Sequence, residues 1–157
     1  MSLPESFVQA GEKYIGVLTT KHIPCQEGRC YLHGLNTNTG FDCSGLIYRV
    51  LIDIEYPNPK NLRHVRDFFA DGEFGQFIPI GEQRRGDLII IPRLRKFQGD
   101  VPSHIGIMID PEHYIQAGKV AGDRVSITSL VIKERRLNDL AKLRFPISPI
   151  GFKRLVF

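Results

Sequence analysis

Long apolar runs are missing from this chain, and no segment approaches the ~20 residues needed to span a bilayer. Membrane insertion is therefore not expected. The opening Met1-Ser2-Leu3-Pro4-Glu5-Ser6-Phe7 has neither the basic stretch nor the apolar core of a secretory signal. That leaves a cytoplasmic protein, one exported without a classical signal, or one whose leader has been removed. Low-complexity tracts and internal repeats are absent too, so an ordinary globular chain remains. Cysteine is scarce at three residues, an odd number that cannot all pair within one chain. Basic residues are not clustered: the formal net charge is +4, yet Lys and Arg are scattered and no base-reading motif accompanies them. A nucleic-acid partner is not expected.

What is present is a globular composition, 42% hydrophobic and 24% charged over 157 residues. That suits one domain, 1–157, with a sizeable core. The positive balance fits anionic partners such as a polyanionic wall polymer or a carboxylate-rich peptide, and equally a basic surface kept for solubility. Ten prolines and fifteen glycines imply many turns and argue against an all-α fold.

Phe7, Ala10, Tyr14 and Val17 recur at helical spacing, which predicts a helix over 4–17 after a proline suited to a first turn. Residues 18–40 read as a polar, turn-rich connection. A helix over about 43–54 carries Leu46, Ile47, Val50, Leu51 and Ile54 as its buried stripe, and Tyr56-Pro57-Asn58-Pro59 ends it. Another helix fits 62–70. The grammar then changes to strands: Leu88-Ile89-Ile90-Ile91 after the turn Arg85-Gly86-Asp87, then 104–109, 114–117, 125–128 and 151–157, with a helix over 130–142 between the last two. Helices first and an antiparallel sheet of about five or six strands after them is the α+β pattern.

The chemistry centres on Gly40-Phe41-Asp42-Cys43-Ser44-Gly45-Leu46-Ile47. Cys43 stands where a loop becomes an apolar helix, and a helix start favours the thiolate through its macrodipole and its unbonded N–H groups. Asp42 and Ser44 are capping types, and Asp42 reads as a cap rather than a catalytic carboxylate, although its charge raises the thiol pKa. A thiol in an apolar helix is also a common core residue. About sixty residues on, Ser103-His104-Ile105-Gly106-Ile107 offers a base on a strand. His104, Gly106 and Met108 share one face, the isoleucines the other, so the histidine face can border a cleft, with Gly106 clearing space on it. An imidazole within reach of Cys43 gives the pair of a cysteine hydrolase, whereas a structural histidine is the plainer reading. Gln116, beyond the hairpin Asp110-Pro111-Glu112-His113, is the candidate to orient that ring, with His113 as a rival. It faces His104 only if the loop has an odd length or a bulge intervenes.

In order along the chain, these segments resemble the NlpC-type peptidases, papain-like cysteine enzymes that cut bacterial cell-wall peptides. Phe41-Asp42-Cys43-Ser44-Gly45-Leu46-Ile47 is similar to the nucleophile motif, Arg85-Gly86-Asp87-Leu88-Ile89 to the strand before the histidine, and Ser103-His104-Ile105-Gly106-Ile107-Met108-Ile109 to the histidine strand. Tyr114-Ile115-Gln116-Ala117 falls where the family carries its third polar residue, Tyr31 matches a tyrosine lining the active site, and Gly151-Phe152-Lys153-Arg154 resembles the last strand. The resemblance implies a papain-like fold and a catalytic set of Cys43, His104 and Gln116. It implies oxyanion and substrate-binding positions at Tyr31, His33, Asp42, Ser44 and Ser103. The implied substrate is a peptidoglycan stem peptide or muropeptide, cut next to D-glutamate, commonly between γ-D-glutamate and a diamino acid. No metal or cofactor is implied.

Two departures fall beside the expected cleft. About a dozen extra residues, 19–30, precede Tyr31, and His33 stands where an aromatic is usual. Cys25 and Cys30 could pair as a local disulfide, or join His22 and His33 at zinc, for which the cysteine spacing is loose. A recycling enzyme, a phage-tail lysin working with a tail partner, and an injected toxin with an immunity or inhibitor protein all fit a bare catalytic domain. Two other classes compete: a thiol hydrolase of a small amide or thioester, and a non-catalytic component of a phage tail or secretion machine.

Overall fold

Four successive apolar residues, Leu88-Ile89-Ile90-Ile91, leave a strand no polar face to turn outward, and both faces are in fact buried. The computed structural model describes residues 2–17, 19, 35–36, 40–57, 75–93, 101–117, 124–130 and 151–156. Its elements run α1 (Leu3–Glu12), β1 (Leu35–Asn36), β2 (Gly40–Phe41), α2 (Cys43–Asp53), β3 (Gly75–Ile78), β4 (Leu88–Arg93), β5 (Val101–Asp110), β6 (His113–Gln116), β7 (Ser126–Ser129) and β8 (Gly151–Leu155). Six strands form one antiparallel sheet in the order β3-β8-β4-β5-β6-β7, and β1 pairs with β2 in a small ribbon. The α+β architecture expected from the sequence is the one observed.

Both helices lie on one face of the sheet. Phe7, Val8 and Ala10 of α1 and Leu46, Ile47, Val50 and Leu51 of α2 bury against Leu88, Ile90, Ile105, Ile107 and Ile115. A single leucine or isoleucine fully buried this way contributes about 1.5–3 kcal/mol, so this layer dominates the stability. The opposite face holds a smaller cluster of Ile89, Ile91, Met108, Tyr114, Leu130 and Phe152.

Local chemistry sets the helix ends. Ser2 caps α1, its hydroxyl accepting from the Glu5 N–H at 3.4 Å, and Pro4 sits in the first turn, where no N–H is needed. The helix stops at Glu12 rather than running to 17. Gly16 takes a positive φ of 92°, and its N–H bonds the Val125 carbonyl at 2.9 Å, drawing the chain away towards the sheet. Tyr14 nevertheless keeps its place against the core, donating its hydroxyl to Asp53 and accepting from Arg49 Nε at 3.1 Å.

The turn before β4 is clamped on two sides. Asp87, 1% exposed, takes Nε and Nη2 of Arg154 at 2.8 and 2.9 Å, and the Arg84 N–H at 2.9 Å. Arg85 reaches Glu5 through two bonds of 2.8 Å, tying α1 to the same turn. Gly86, at φ 93°, lies so close to α1 that an added Cβ would stand 3.0 Å from Pro4 Cβ.

Strand β5 carries two register slips. Ile91 pairs with His104 but Pro92 with Pro102, making Ser103 the extra residue; neither proline has an N–H for the ladder, and bulges are where strands accept proline. The second slip falls between Met108 and Asp110, where Ile109 is the extra residue.

The strands near 88, 104, 114, 125 and 151 were anticipated within a few residues, whereas β3 and the β1–β2 ribbon were not. The helices expected over 62–70 and 130–142 lie outside the described residues, apart from Leu130, as does the 19–30 insert, apart from Thr19.

Candidate active site

Cys43 opens α2. Asp42 precedes it in extended conformation, φ −85° and ψ 174°, and its Oδ1 accepts from the Gly45 N–H at 2.6 Å and from the Ser44 hydroxyl at 3.4 Å. Asp42 is thus the N-cap, and Ser44 serves the same turn. Cys43 is partly exposed and packs against the helix-side core. Its sulfur reaches β5: the backbone N–H groups of Ile105, Ser44 and Cys43 itself surround it and favour the thiolate. Burial and the Asp42 charge outweigh them and push the thiol from 9.0 up to about 11. The helix start therefore does not leave a thiolate standing at neutral pH, contrary to the macrodipole argument taken alone.

His104 adjoins the Ser103 bulge and immediately precedes the Ile105 N–H that meets the sulfur. A bulge is a device for re-aiming a side chain, and this one separates the ladder before His104 from the ladder after it. The ring Nε2 lies 2.5 Å from Gln116 Oε1. An amide oxygen only accepts, so in this arrangement Nε2 carries a proton, and in the neutral ring Nδ1 is the nitrogen left to accept one.

Gln116 reaches His104 through the hairpin that the sequence left open. Pro111 and Glu112 make the turn, and the slip at Ile109 supplies the odd residue that brings Gln116 to the histidine's face. Asp110 builds that turn, its Oδ1 accepting from the Glu112 and His113 N–H groups at 2.7 and 2.8 Å. His113 bonds Asp110 at 3.0 Å and so is occupied at the hairpin. The far side of the Gln116 amide donates from Nε2 to Thr128 Oγ1 at 2.5 Å. Thr128 was not singled out from the sequence; its signal was a twelve-residue spacing, 104 to 116 to 128, on three consecutive strands.

Gly106 does not clear space beside His104. A Cβ there would stand 2.7 Å from Tyr114 Cδ2 and 2.7 Å from the Ile115 carbonyl oxygen, so the missing side chain seats the tyrosine ring. Tyr31 and His33 lie outside the described residues, as do His22, Cys25 and Cys30, and the Ser103 side chain is not described. Among the described residues no group of three or more His, Cys, Asp or Glu is placed to hold a metal, and no helix is long and apolar enough to cross a membrane.

Two helices on one face of a six-stranded antiparallel sheet, with a thiol at a helix start against the histidine strand, define a papain-like domain. The sequence pattern of the NlpC/P60 family matches residues 28–137, and the chain belongs to that family. It is 32% identical over 101 residues to murein DD-endopeptidase MepH of Escherichia coli K12, covering 62% of this chain and 33% of that protein. The chain thus spans about one third of MepH. Among solved structures, a lipoprotein-like NLP/P60 family protein of Staphylococcus aureus Mu50 superposes with a TM-score of 0.64 at 21% identity, over 98% of this chain and 41% of that one. The NlpC/p60 domain of the peptidoglycan hydrolase SagA superposes with a TM-score of 0.59 at 22% identity, over 83% and 92%.

Proposed function

We propose that this chain is a cysteine endopeptidase that hydrolyses peptidoglycan stem peptides, with Cys43 as nucleophile, His104 as base and then acid, and Gln116 holding the ring. The observation that carries the reading is the bond from His104 Nε2 to Gln116 Oε1, because it selects the tautomer whose Nδ1 takes a proton. A thiol near 11 is almost wholly protonated at neutral pH, so the reaction needs that base. The Cys43 proton passes to Nδ1 as sulfur attacks the peptide carbonyl carbon. The carbonyl oxygen takes the negative charge beside the Cys43 N–H, with the Tyr31 hydroxyl as second donor. His104 then protonates the leaving amine, the C–N bond breaks, and water hydrolyses the thioester with the histidine again as base.

Free carboxylates on stem peptides suit a chain of net charge +4. The MepH likeness and the SagA superposition support a peptidoglycan substrate and action at the cell wall. The bond we favour lies next to D-glutamate, between its γ-carboxyl and a diamino acid. A bond between two D residues is the second reading, favoured by the name of the DD-endopeptidase relative.

The test is to incubate the protein and Cys43→Ala with purified muropeptides, cross-linked and uncross-linked, and weigh the products. Cleavage of uncross-linked stems beside D-glutamate, lost in the variant, is expected. Cleavage confined to cross-linked dimers establishes the second reading. No product from any chemotype, with Cys43 still readily alkylated, turns the assignment to a small amide or thioester. An inert Cys43 removes every enzymatic reading.

A further inference from the structure

We propose that Thr128 is a positioning residue of this site, holding the Gln116 amide in the one orientation that keeps His104 in its proton-accepting tautomer. The proposal rests on the reading of Cys43 and His104 as nucleophile and base. Its observation is separate: a continuous row of hydrogen bonds, His104 to Gln116 at 2.5 Å and Gln116 to Thr128 at 2.5 Å, crossing β5, β6 and β7.

Strand pairing makes the row. Gln116 opposes Ser126 on β7 and Thr128 opposes Tyr114, so Thr128 lies two residues along from Gln116's direct partner and on the same face. On the other side, Ile115 opposes Ile107. Continuing that register puts Gln116 opposite Gly106 and diagonal to His104. Each side chain therefore reaches the next across one strand spacing.

The amide at the centre of the row is 5% exposed. A buried amide must be satisfied at both ends, since an unmet NH2 keeps its full desolvation cost. Oxygen and nitrogen ends are nearly the same shape, so packing alone does not distinguish them. The Thr128 hydroxyl meets the nitrogen end, accepting from Nε2 and leaving Oε1 for the imidazole. Without it the NH2 loses its partner, and turning the amide over to donate to the ring relieves that loss. His104 Nε2 would then have to accept, its proton would move to Nδ1, and the ring could no longer take the proton of Cys43. Thr128 touches neither substrate nor thiol in this scheme, and it acts through Gln116.

The experiment compares Thr128→Val, which keeps shape and strand preference but removes the hydroxyl, with Thr128→Ser, which keeps the hydroxyl. Two readouts need no substrate: the His104 tautomer by ring-nitrogen NMR, and the pH profile of Cys43 alkylation resolved by peptide mass spectrometry. Thr128→Val is expected to shift His104 towards the Nδ1–H form and to slow neutral-pH alkylation about tenfold. Thr128→Ser is expected to recover most of the rate. Where muropeptides are cut, the loss should fall on kcat with KM within about twofold. Should Thr128→Val not fold, Thr128→Ala carries the same comparison. An unchanged tautomer and alkylation profile in the hydroxyl-free variant overturns the proposal, even if the wild type cuts peptidoglycan. A shifted profile with no cleavage by any form upholds the row and rejects the substrate instead.

Discussion

Replacing Asp42 by asparagine isolates the strongest electrostatic opposition to ionisation of the Cys43 thiol. Asp42 is 4% exposed, sits beside Cys43 in the chain, and is the largest cause after burial of the thiol's rise from 9.0 to about 11. Burial is the larger cause and the Asp42 charge the second. As an order of magnitude, a carboxylate this close is worth about one pKa unit, or ~1.4 kcal/mol between thiol and thiolate. Asparagine keeps an oxygen for the Gly45 N–H and is as good an N-cap as aspartate, so the start of α2 should persist. Alanine removes the charge and the cap together and should cost a further ~1 kcal/mol of stability.

The measurement belongs in a His104→Ala background, so that the imidazole does not share the titration. Iodoacetamide modification of Cys43 is followed from neutral pH to above 11 by peptide mass spectrometry, which separates it from Cys25 and Cys30. Asp42→Asn should bring the midpoint down by about one unit. At neutral pH the thiolate fraction rises about tenfold, but a less basic thiolate is about threefold less nucleophilic, so alkylation accelerates only about threefold. Asp42→Ala should show the same midpoint with a lower melting temperature. A midpoint that stays put or rises in both variants, with α2 intact by circular dichroism, refutes the electrostatic account of this thiol.

Two further outcomes test the scaffold. Arg154→Met leaves Asp87 buried without its bidentate partner and should cost about 3 kcal/mol in urea unfolding, more than an exposed ion pair is worth; a loss below about 1 kcal/mol would mean that the carboxylate is hydrated after all. Gly106→Ala drives a Cβ to 2.7 Å from the Ile115 carbonyl and the Tyr114 ring, and should cost about 1–3 kcal/mol while slowing Cys43 alkylation, because the displaced backbone carries Gln116; wild-type stability would show that β6 gives way freely.

How far the chain could be read in advance follows from how local each cause is. The cap at Asp42, the stripe Leu46, Ile47, Val50 and Leu51, and the doubly buried Leu88–Ile91 run depend on neighbours in sequence, and periodicity exposes them. The end of α1 does not, because the bonds that turn Gly16 and Val17 away from the helix come from Val125, more than a hundred residues distant. Strand β3 was invisible for a similar reason. Its four residues, Gly75-Gln76-Phe77-Ile78, bury in no alternating pattern, and they form a strand because β8 lies beside them.

The site divides along the same line. The places of Cys43 at a helix start and of His104 on a strand were legible because each sits in a segment whose own residues give its place away. Whether Gln116 could meet His104 turned on a single slipped residue at Ile109, which the sequence offered only as one of two conditions. Thr128 required the β6–β7 register as well. The thiol's own balance was the hardest to weigh, since helix dipole, N–H donors, burial and Asp42 are all visible in kind from the sequence, while only the fold fixes their sizes. Because that balance favours the protonated thiol, the proposed mechanism cannot draw its reactivity from the helix start alone. In that mechanism the burden moves to the imidazole and to whatever keeps its proton on Nε2. The proposed reactivity would then depend less on the residues flanking the cysteine, where the motif is easiest to recognise, than on pairing among β5, β6 and β7.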